Sequence, residues 1–356
     1  MPNICGYKEI HEIGNAKPPL MQTLNNSTSM LNIVFLDSHA LNPGDLSWEP
    51  FSRFGRLTTY PRTPSHLIYT RAREADVIIT NKVHFGEEEF QQLPRLRFIL
   101  EAATGYDNID LTAARAHGVT VCNVPAYSTL AVAQHAMALL LEVCNQVGHY
   151  TRQISIPTSE ANGASSYWAT SPDFCRWNRP IVELTGKRIA IVGWGNIGSK
   201  LAQLLLPLEA EVVAVTSKPQ DALPDGVQKV ELEEAFATSF AVSLHCPLAP
   251  NNRQFVNREL LSLSRRGLVL INTARGGLIN DADVAAALSD GQLSAYCTDV
   301  LSQEPPTPEH PLLHAPNVFI TPHIAWASQD ARQRIIDIMV RNFQAFLDGQ
   351  PTNVVS

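Results

Sequence analysis

Short apolar runs alternate with helical spacing along most of the chain. Leu31–Leu36 (LNIVFL), Asp76–Thr80 (DVIIT) and Arg97–Leu100 (RFIL) are apolar at successive positions. A strand with one wet face alternates, whereas a strand covered on both faces does not. These runs therefore predict buried parallel strands joined by helical crossovers. From about Ala131 to Val147 the helical pattern is apolar nearly all round. It predicts a helix buried between domains or subunits. A second series follows: Arg188–Val192, Glu211–Val215, Ala241–His245, Leu268–Ile271 and Leu293–Cys297, with Val318–Ile320 as a sixth. The last helix is predicted from about Ser328 to Leu347. Ile335, Ile336, Met339, Phe343, Phe346 and Leu347 form its apolar stripe, and Gly349 and Pro351 stop it.

The pattern predicts an α/β chain of two Rossmann-like, doubly wound domains. The first, flavodoxin-like and discontinuous, covers 31–129 plus 323–356, and the second covers 130–322. The terminal helix is expected to pack back on the first. Residues 1–30 mix Lys8, Glu9, Glu12 and Lys17 with Pro18 and Pro19. They lack the apolar core of a signal peptide and the Arg-rich pattern of a transit peptide. A poorly ordered extension is expected there, with Met30 a candidate natural start. Residues 151–180 hold Tyr167, Trp168, Phe174 and Trp177 among Ser, Thr and Pro. So long a loop is unusual in a compact domain, and exposed aromatics seek a partner surface. This segment is expected to reach across a dimer interface.

Composition narrows the function classes. The 356 residues suit two domains, with 45% hydrophobic and 17% charged residues as in an ordinary globular enzyme. A net charge of −7 argues against a nucleic-acid partner. No apolar run approaches the ~20 residues that span a bilayer, so no membrane partner is expected. The six cysteines form no C-x-x-C pair. Neither a metal site nor a redox motif is expected, and a reducing cytoplasm is the expected compartment.

Gly193-Trp194-Gly195-Asn196-Ile197-Gly198 matches G-x-G-x-x-G. The match alone is weak, but a strand pattern runs in and a helix pattern runs out. Gly193 permits the turn, Gly195 lets a pyrophosphate approach, and Gly198 allows close helix–strand packing. The helix start then offers N–H groups and partial positive charge to the anion. The second domain is therefore expected to bind NAD(H) or NADP(H). An acid after the second strand would select NAD through the ribose hydroxyls. Thr216-Ser217-Lys218 stand there instead. Lys218 can pair with a 2′-phosphate, which favours NADP(H) without excluding NAD(H).

Three strand ends in the last third carry polar residues. Asn272-Thr273-Ala274-Arg275 follows one, Asp299 to Glu304 the next, and Thr321-Pro322-His323 the last. Ligands of open α/β sheets bind beyond the carboxyl ends of strands. A 2-keto acid offers a carboxylate that a guanidinium recognises with a forked donor set. Reduction of its carbonyl leaves an alkoxide, and an imidazole suits a proton that must cycle at neutral pH. A neighbouring carboxylate would orient that ring. Arg275 is thus expected to bind substrate, His323 to act as acid and base, and Glu304 to tune His323. Singly, each residue has an ordinary structural explanation, and their shared sheet edge is what counts against it.

The segments ATGYDNID (Ala103–Asp110), NVPAYST (Asn123–Thr129), GWGNIG, HCPL (His245–Leu248), INTARGG (Ile271–Gly277), DVLSQEP and TPHIAW resemble the D-isomer-specific 2-hydroxyacid dehydrogenases. The resemblance runs from Leu31 to Val355, and Ser171–Gly195 and His323–Arg334 are most similar to the family's glycerate dehydrogenase (hydroxypyruvate reductase) branch. It implies interconversion of a small 2-hydroxy acid and its 2-keto acid by hydride transfer. It implies an Arg275, Glu304 and His323 active site in a homodimer built around the cofactor domain. Backbone N–H groups at Thr104 and Gly105 would hold the substrate carboxylate in the first, substrate-binding domain. Asn196 and Ile197 would cover the pyrophosphate. His245, Cys246 and Pro247 would line the adenosine side, with Thr273, Ala274 and Ala325 also against the cofactor. Asp299 would hold the nicotinamide carboxamide. The chain departs from the family at the missing acid noted above. It has Asn252 where a Thr often touches the phosphate, and Ala131 where Ser or Thr is common.

Two other readings remain open on sequence alone. A different 2-keto acid, D-lactate-like or bulkier, is one, since pocket shape sets that choice. No regulatory domain follows before Ser356, against a phosphoglycerate enzyme. A cofactor-sensing, catalytically silent corepressor-like protein is the second, disfavoured by the intact polar set.

Overall fold

A computed structural model describes residues 30–155, 168 and 171–356. The expected N-terminal extension, Tyr167 and much of the expected aromatic loop lie outside the described residues. Trp168, Phe174 and Trp177 are described, and all three are exposed. The chain divides into two compact units. One is Thr129–Ala325, and the other runs up to Ser128 and resumes with Trp326–Ser356. The sequence pattern had placed that return at residue 323. The N–H groups of His323, Ile324 and Ala325 all bond to Asp299, which keeps them with the first of these units.

The unit that ends at Ser356 holds five parallel strands: β1 (Leu31–Phe35), β2 (Gly55–Thr59), β3 (Val77–Thr80), β4 (Phe98–Glu101) and β5 (Thr120–Cys122). Their order is β2-β1-β3-β4-β5, the flavodoxin-like winding. β3 and β4 are buried at every position, which is why their runs read clearly. β2 was not expected, because this edge strand (GRLTT) buries only Gly55 fully. The helix Gln329–Leu347 is capped by Ser328, whose Oγ accepts from Ala331 N. Phe343 packs 4.5 Å from Phe54 and Phe346 stacks 4.1 Å from Phe98. Arg332, almost buried, grips Asp45 through two 2.7 Å bonds. The tail then pairs with β5 through Val355 N to Val121 O at 2.9 Å.

The other unit holds seven parallel strands: β6 (Arg188–Val192), β7 (Glu211–Val215), β8 (Val227–Lys229), β9 (Ala241–Leu244), β10 (Leu268–Asn272), β11 (Leu293–Thr298) and β12 (Val318–Ile320). The order β12-β11-β10-β9-β6-β7-β8 reverses direction between β6 and β9. That switch point is where such sheets bind dinucleotides. The helix Thr129–Asn145 buries Val132, Ala133, Ala136, Leu139, Leu140 and Cys144. It packs on the helix Asn196–Leu205, through the cluster that includes Leu201, Ala202 and Leu205. No single helix among the described residues is long and apolar enough to cross a membrane.

The carboxyl edge of the five-stranded sheet hides an acid that the apolar pattern did not reveal. Glu101 closes β4 and is fully buried, with Oε2 accepting from Asn108 Nδ2 at 3.2 Å and Oε1 without a donor. Burial holds its carboxyl well above the usual 4.5, and the Asn108 bond only partly opposes this. The folded chain therefore keeps a proton that the unfolded chain releases, so stability falls as pH rises from 4.5 toward the folded value. Glu101→Gln is expected to raise Tm at about pH 8 and to lose that advantage toward about pH 4. Thermal melts across this range check it, and an equal shift at every pH would contradict the account.

Candidate active site

β6 runs straight into the glycine turn. Gly193 N donates to Val215 O at 2.9 Å, and Gly193 sits at φ 102, where side chains are strained. A Cβ on Gly193 would stand 2.6 Å from His245 C, and one on Gly198 would stand 2.2 Å from Gly193 O. Gly195 faces open space, with nothing within 4 Å of a Cβ. The helix Asn196–Leu205 begins there with no side-chain cap. Open backbone at a helix start suits a pyrophosphate.

His245 lies across this turn, with its N–H on Val192 O at 2.7 Å. Its Nε2 shares a 2.8 Å hydrogen bond with Ser243 Oγ, and its enclosed Nδ1 has no partner. The residue as a whole is half-buried, but burial of the ring pushes its pKa down to about 4. It is thus an uncharged wall at neutral pH. Thr273 Oγ1 is likewise enclosed without a partner. The open glycine turn, the uncapped helix and these two unpartnered atoms fit a dinucleotide. Cys246 is buried and Pro247 exposed beside His245. Asn252 is placed inside the loop: Oδ1 accepts from Ala249 N at 2.7 Å and Nδ2 donates to Pro247 O at 2.8 Å.

Thr216, Ser217 and Lys218 follow β7, and Thr216 Oγ1 accepts from Lys218 N. Lys229 joins them from β8, its Nζ donating to Lys218 O at 3.0 Å. The sequence reading missed this second lysine because β8 buries only Val227 fully and shows no apolar run.

Arg275 follows β10. Asn272, fully buried, shapes its turn, with Nδ2 on Arg275 O at 3.0 Å and Oδ1 on Ala274 N at 3.1 Å. Arg275 itself is exposed, with Nη1 on Ala274 O at 2.9 Å. The next residue, Gly276, has no room for a side chain, since a Cβ would stand 2.0 Å from Leu301 O. Past β11, Leu301 N donates to Glu304 Oε1 at 2.9 Å, and Glu304 Oε2 lies 2.6 Å from His323 Nδ1. One pocket is lined by Leu248, Arg275, Leu301, Ser302, Glu304 and His323. The chain thus brings together three residues from three strand ends. Thr104 and Gly105 lie in the other unit, just after β4. There Asn123 Nδ2 holds Thr104 O at 2.8 Å.

Asp299 is 2% exposed and does more than the sequence reading assigned. Its Oδ1 accepts from Thr321 Oγ1 at 2.6 Å and Ile324 N at 2.8 Å, and its Oδ2 from Ala325 N at 2.8 Å. It therefore braces the loop of His323. Among the described residues no group of three His, Cys, Asp or Glu is arranged to hold a metal.

Residues 137–325 match the family model of the D-isomer specific 2-hydroxyacid dehydrogenase, NAD binding domain. The chain is 38% identical to a hydroxypyruvate reductase of Blautia hydrogenotrophica over 92% of its length and all of that protein. It is 34% identical to a glycerate dehydrogenase of Methylorubrum extorquens, over 91% of this chain and 98% of that one. A solved pyruvate reductase of Chlamydomonas reinhardtii superposes with a TM-score of 0.76 at 27% identity, covering 91% of this chain and 98% of its own. The chain belongs to the D-isomer-specific 2-hydroxyacid dehydrogenase family. It is a nicotinamide-dependent oxidoreductase acting on the CH–OH group of a 2-hydroxy acid, in either direction.

Gly198→Ala tests the cradle. The added methyl must displace Gly193 O, at a cost of about 1–3 kcal/mol, and shift the turn. Weaker NADH and NADPH binding, read by cofactor fluorescence, is expected with a lowered Tm. Wild-type affinity would refute the close approach.

Proposed function

We propose that this protein reduces hydroxypyruvate to D-glycerate, or glyoxylate to glycolate, with Arg275, Glu304 and His323 as its active site. The observation that carries this is the 2.6 Å contact of His323 Nδ1 with Glu304, in the pocket that Arg275 also lines. Held on that side, the ring presents Nε2 to the substrate oxygen. His323 delivers the proton there in reduction and removes it in oxidation. Glu304 fixes the ring's orientation. Arg275 grips the substrate carboxylate with its forked donors. The bound nicotinamide supplies the hydride. Gly193, Gly195, Asn196, Ile197 and Gly198 hold its pyrophosphate. His245, Cys246, Pro247, Thr273, Ala274, Asp299 and Ala325 line the rest of the cofactor site, and Asn252 shapes the loop of Pro247 from inside.

The unit Thr129–Ala325 is the cofactor domain and the other the substrate domain. Lys218, with Lys229 on its carbonyl, favours a 2′-phosphate, so NADPH is the preferred donor. Two further features support cytoplasmic, homodimeric protein. Cys122, Cys144, Cys175 and Cys297 are free thiols, and Trp168, Phe174 and Trp177 stand exposed as a dimer arm would require. The likeness to a pyruvate reductase keeps pyruvate as a second substrate reading.

Initial rates with hydroxypyruvate, glyoxylate and pyruvate, each with NADH and NADPH, test the assignment. Hydroxypyruvate with NADPH is expected to give the highest kcat/KM, and a clear preference for pyruvate would overturn the substrate. His323→Ala is expected to lose about 10²–10⁴-fold in kcat while still binding cofactor. Arg275→Lys is expected to raise KM, because one ammonium cannot replace a planar fork. Unchanged kinetics in either variant would refute its role. Lys218→Ala is expected to raise KM for NADPH and to leave KM for NADH as it was.

A further inference from the structure

Beneath the loop that carries Glu304 lies a second carboxylate–imidazole pair that the reaction above does not use. Asp281 is the first residue of the helix Asp281–Ser289, a short way beyond Arg275. Its Oδ2 accepts the Ser302 hydroxyl hydrogen and lies 3.4 Å from His310 Nε2. His310 is 6% exposed, and neither of its ring nitrogens meets a partner in hydrogen-bond geometry. Asp281 Oδ1 is also enclosed without a donor. Buried polar atoms left short of partners are uncommon and call for an account. Neither Asp281 nor His310 lines the pocket, whereas Ser302 does.

The backbone shows where this constraint goes. Ser302 follows Leu301, whose N–H holds Glu304 Oε1 at 2.9 Å. Ser302 N also stands 2.4 Å from where a Cβ on Gly276 would be, so the loops after β10 and β11 touch backbone to backbone. Asp281 adds a second tie between the same two loops, through Ser302 Oγ. His310, which leads into the turn Pro311–Leu313, sits against that carboxylate and brings a third segment to it. Two ties fix both separation and tilt where one would leave a hinge.

We propose that Asp281, backed by His310, is a positioning residue. Through Ser302 it holds the Leu301–Glu304 hook so that Glu304 stays on His323 at a set distance from the Arg275 loop. The proposal rests on Glu304 being the working partner of His323. Groups that act only when placed to a fraction of an ångström need such support.

A double-mutant cycle separates the two claims. Ser302 is exposed, so Ser302→Ala leaves folding aside, and Asp281→Ala is the companion variant with Tm as its control. Each single variant is expected to lower kcat about tenfold, with KM for hydroxypyruvate and Kd for NADPH within about twofold. Ser302→Thr, which keeps the hydroxyl, is expected to recover most of the rate. In a Glu304→Gln background, Ser302→Ala is expected to cost nothing further, because the group it positions is already lost. Multiplying effects in that background, or wild-type kcat in Ser302→Ala, would overturn the positioning role and leave Glu304's own role standing. A wild-type rate in Glu304→Gln itself would overturn both.

Discussion

The carboxylate of Asp299 collects the Thr321 hydroxyl and the N–H groups of Ile324 and Ala325, while its own backbone oxygen takes His323 N at 2.9 Å. Charge-assisted bonds of this kind are stronger than neutral ones, and here they converge from one short loop. They hold His323 at φ 55, a backbone region that residues other than glycine seldom occupy. In that conformation the imidazole faces Glu304. A single buried acid thus braces the loop that carries His323 into the pocket.

The same economy of contact appears at the neighbouring loop. Gly276 leaves no space between its own Cα and the Leu301 carbonyl, so the turn that presents Arg275 and the turn that presents Glu304 are in van der Waals contact. Any side chain at that position would separate them. Asn272 and Leu301 N then fix the two turns from inside, by hydrogen bonds to Arg275 O and Glu304 Oε1. Guanidinium, carboxylate and imidazole come from consecutive strands β10, β11 and β12, whose parallel register brings all three turns to one edge.

The glycine turn proposed to cradle the dinucleotide lies at the switch point of the same sheet. Its walls are chosen for absence of charge near the turn and presence of charge farther out. Burial keeps the His245 ring neutral, so it lines the turn without competing for anions. Lys218 stands beyond β7, and Lys229 reaches it from the end of β8. Close backbone approach at Gly193 and Gly198 supplies the remaining shape.

Fold class was legible in the sequence because a strand covered on both faces must be apolar at successive positions, as β3, β4 and β10 are. The glycine turn was legible because Gly193 and Gly198 answer to local crowding and Gly195 leaves the backbone open. Arg275, Glu304 and His323 were legible because each follows such a run. β2, β5 and β8 were not: β2 and β8 are edge strands that bury little, and β5 has only three residues. Glu101 hid inside an apolar strand, and Lys229 on a strand with no pattern. The contacts of Asp299, Asn252 and Asp281 were decided by tertiary structure alone. Hydrophobic patterning is written in near neighbours along the chain, whereas a hydrogen bond from residue 302 to 281, or from 325 to 299, exists only once parallel strands have brought distant turns to one edge.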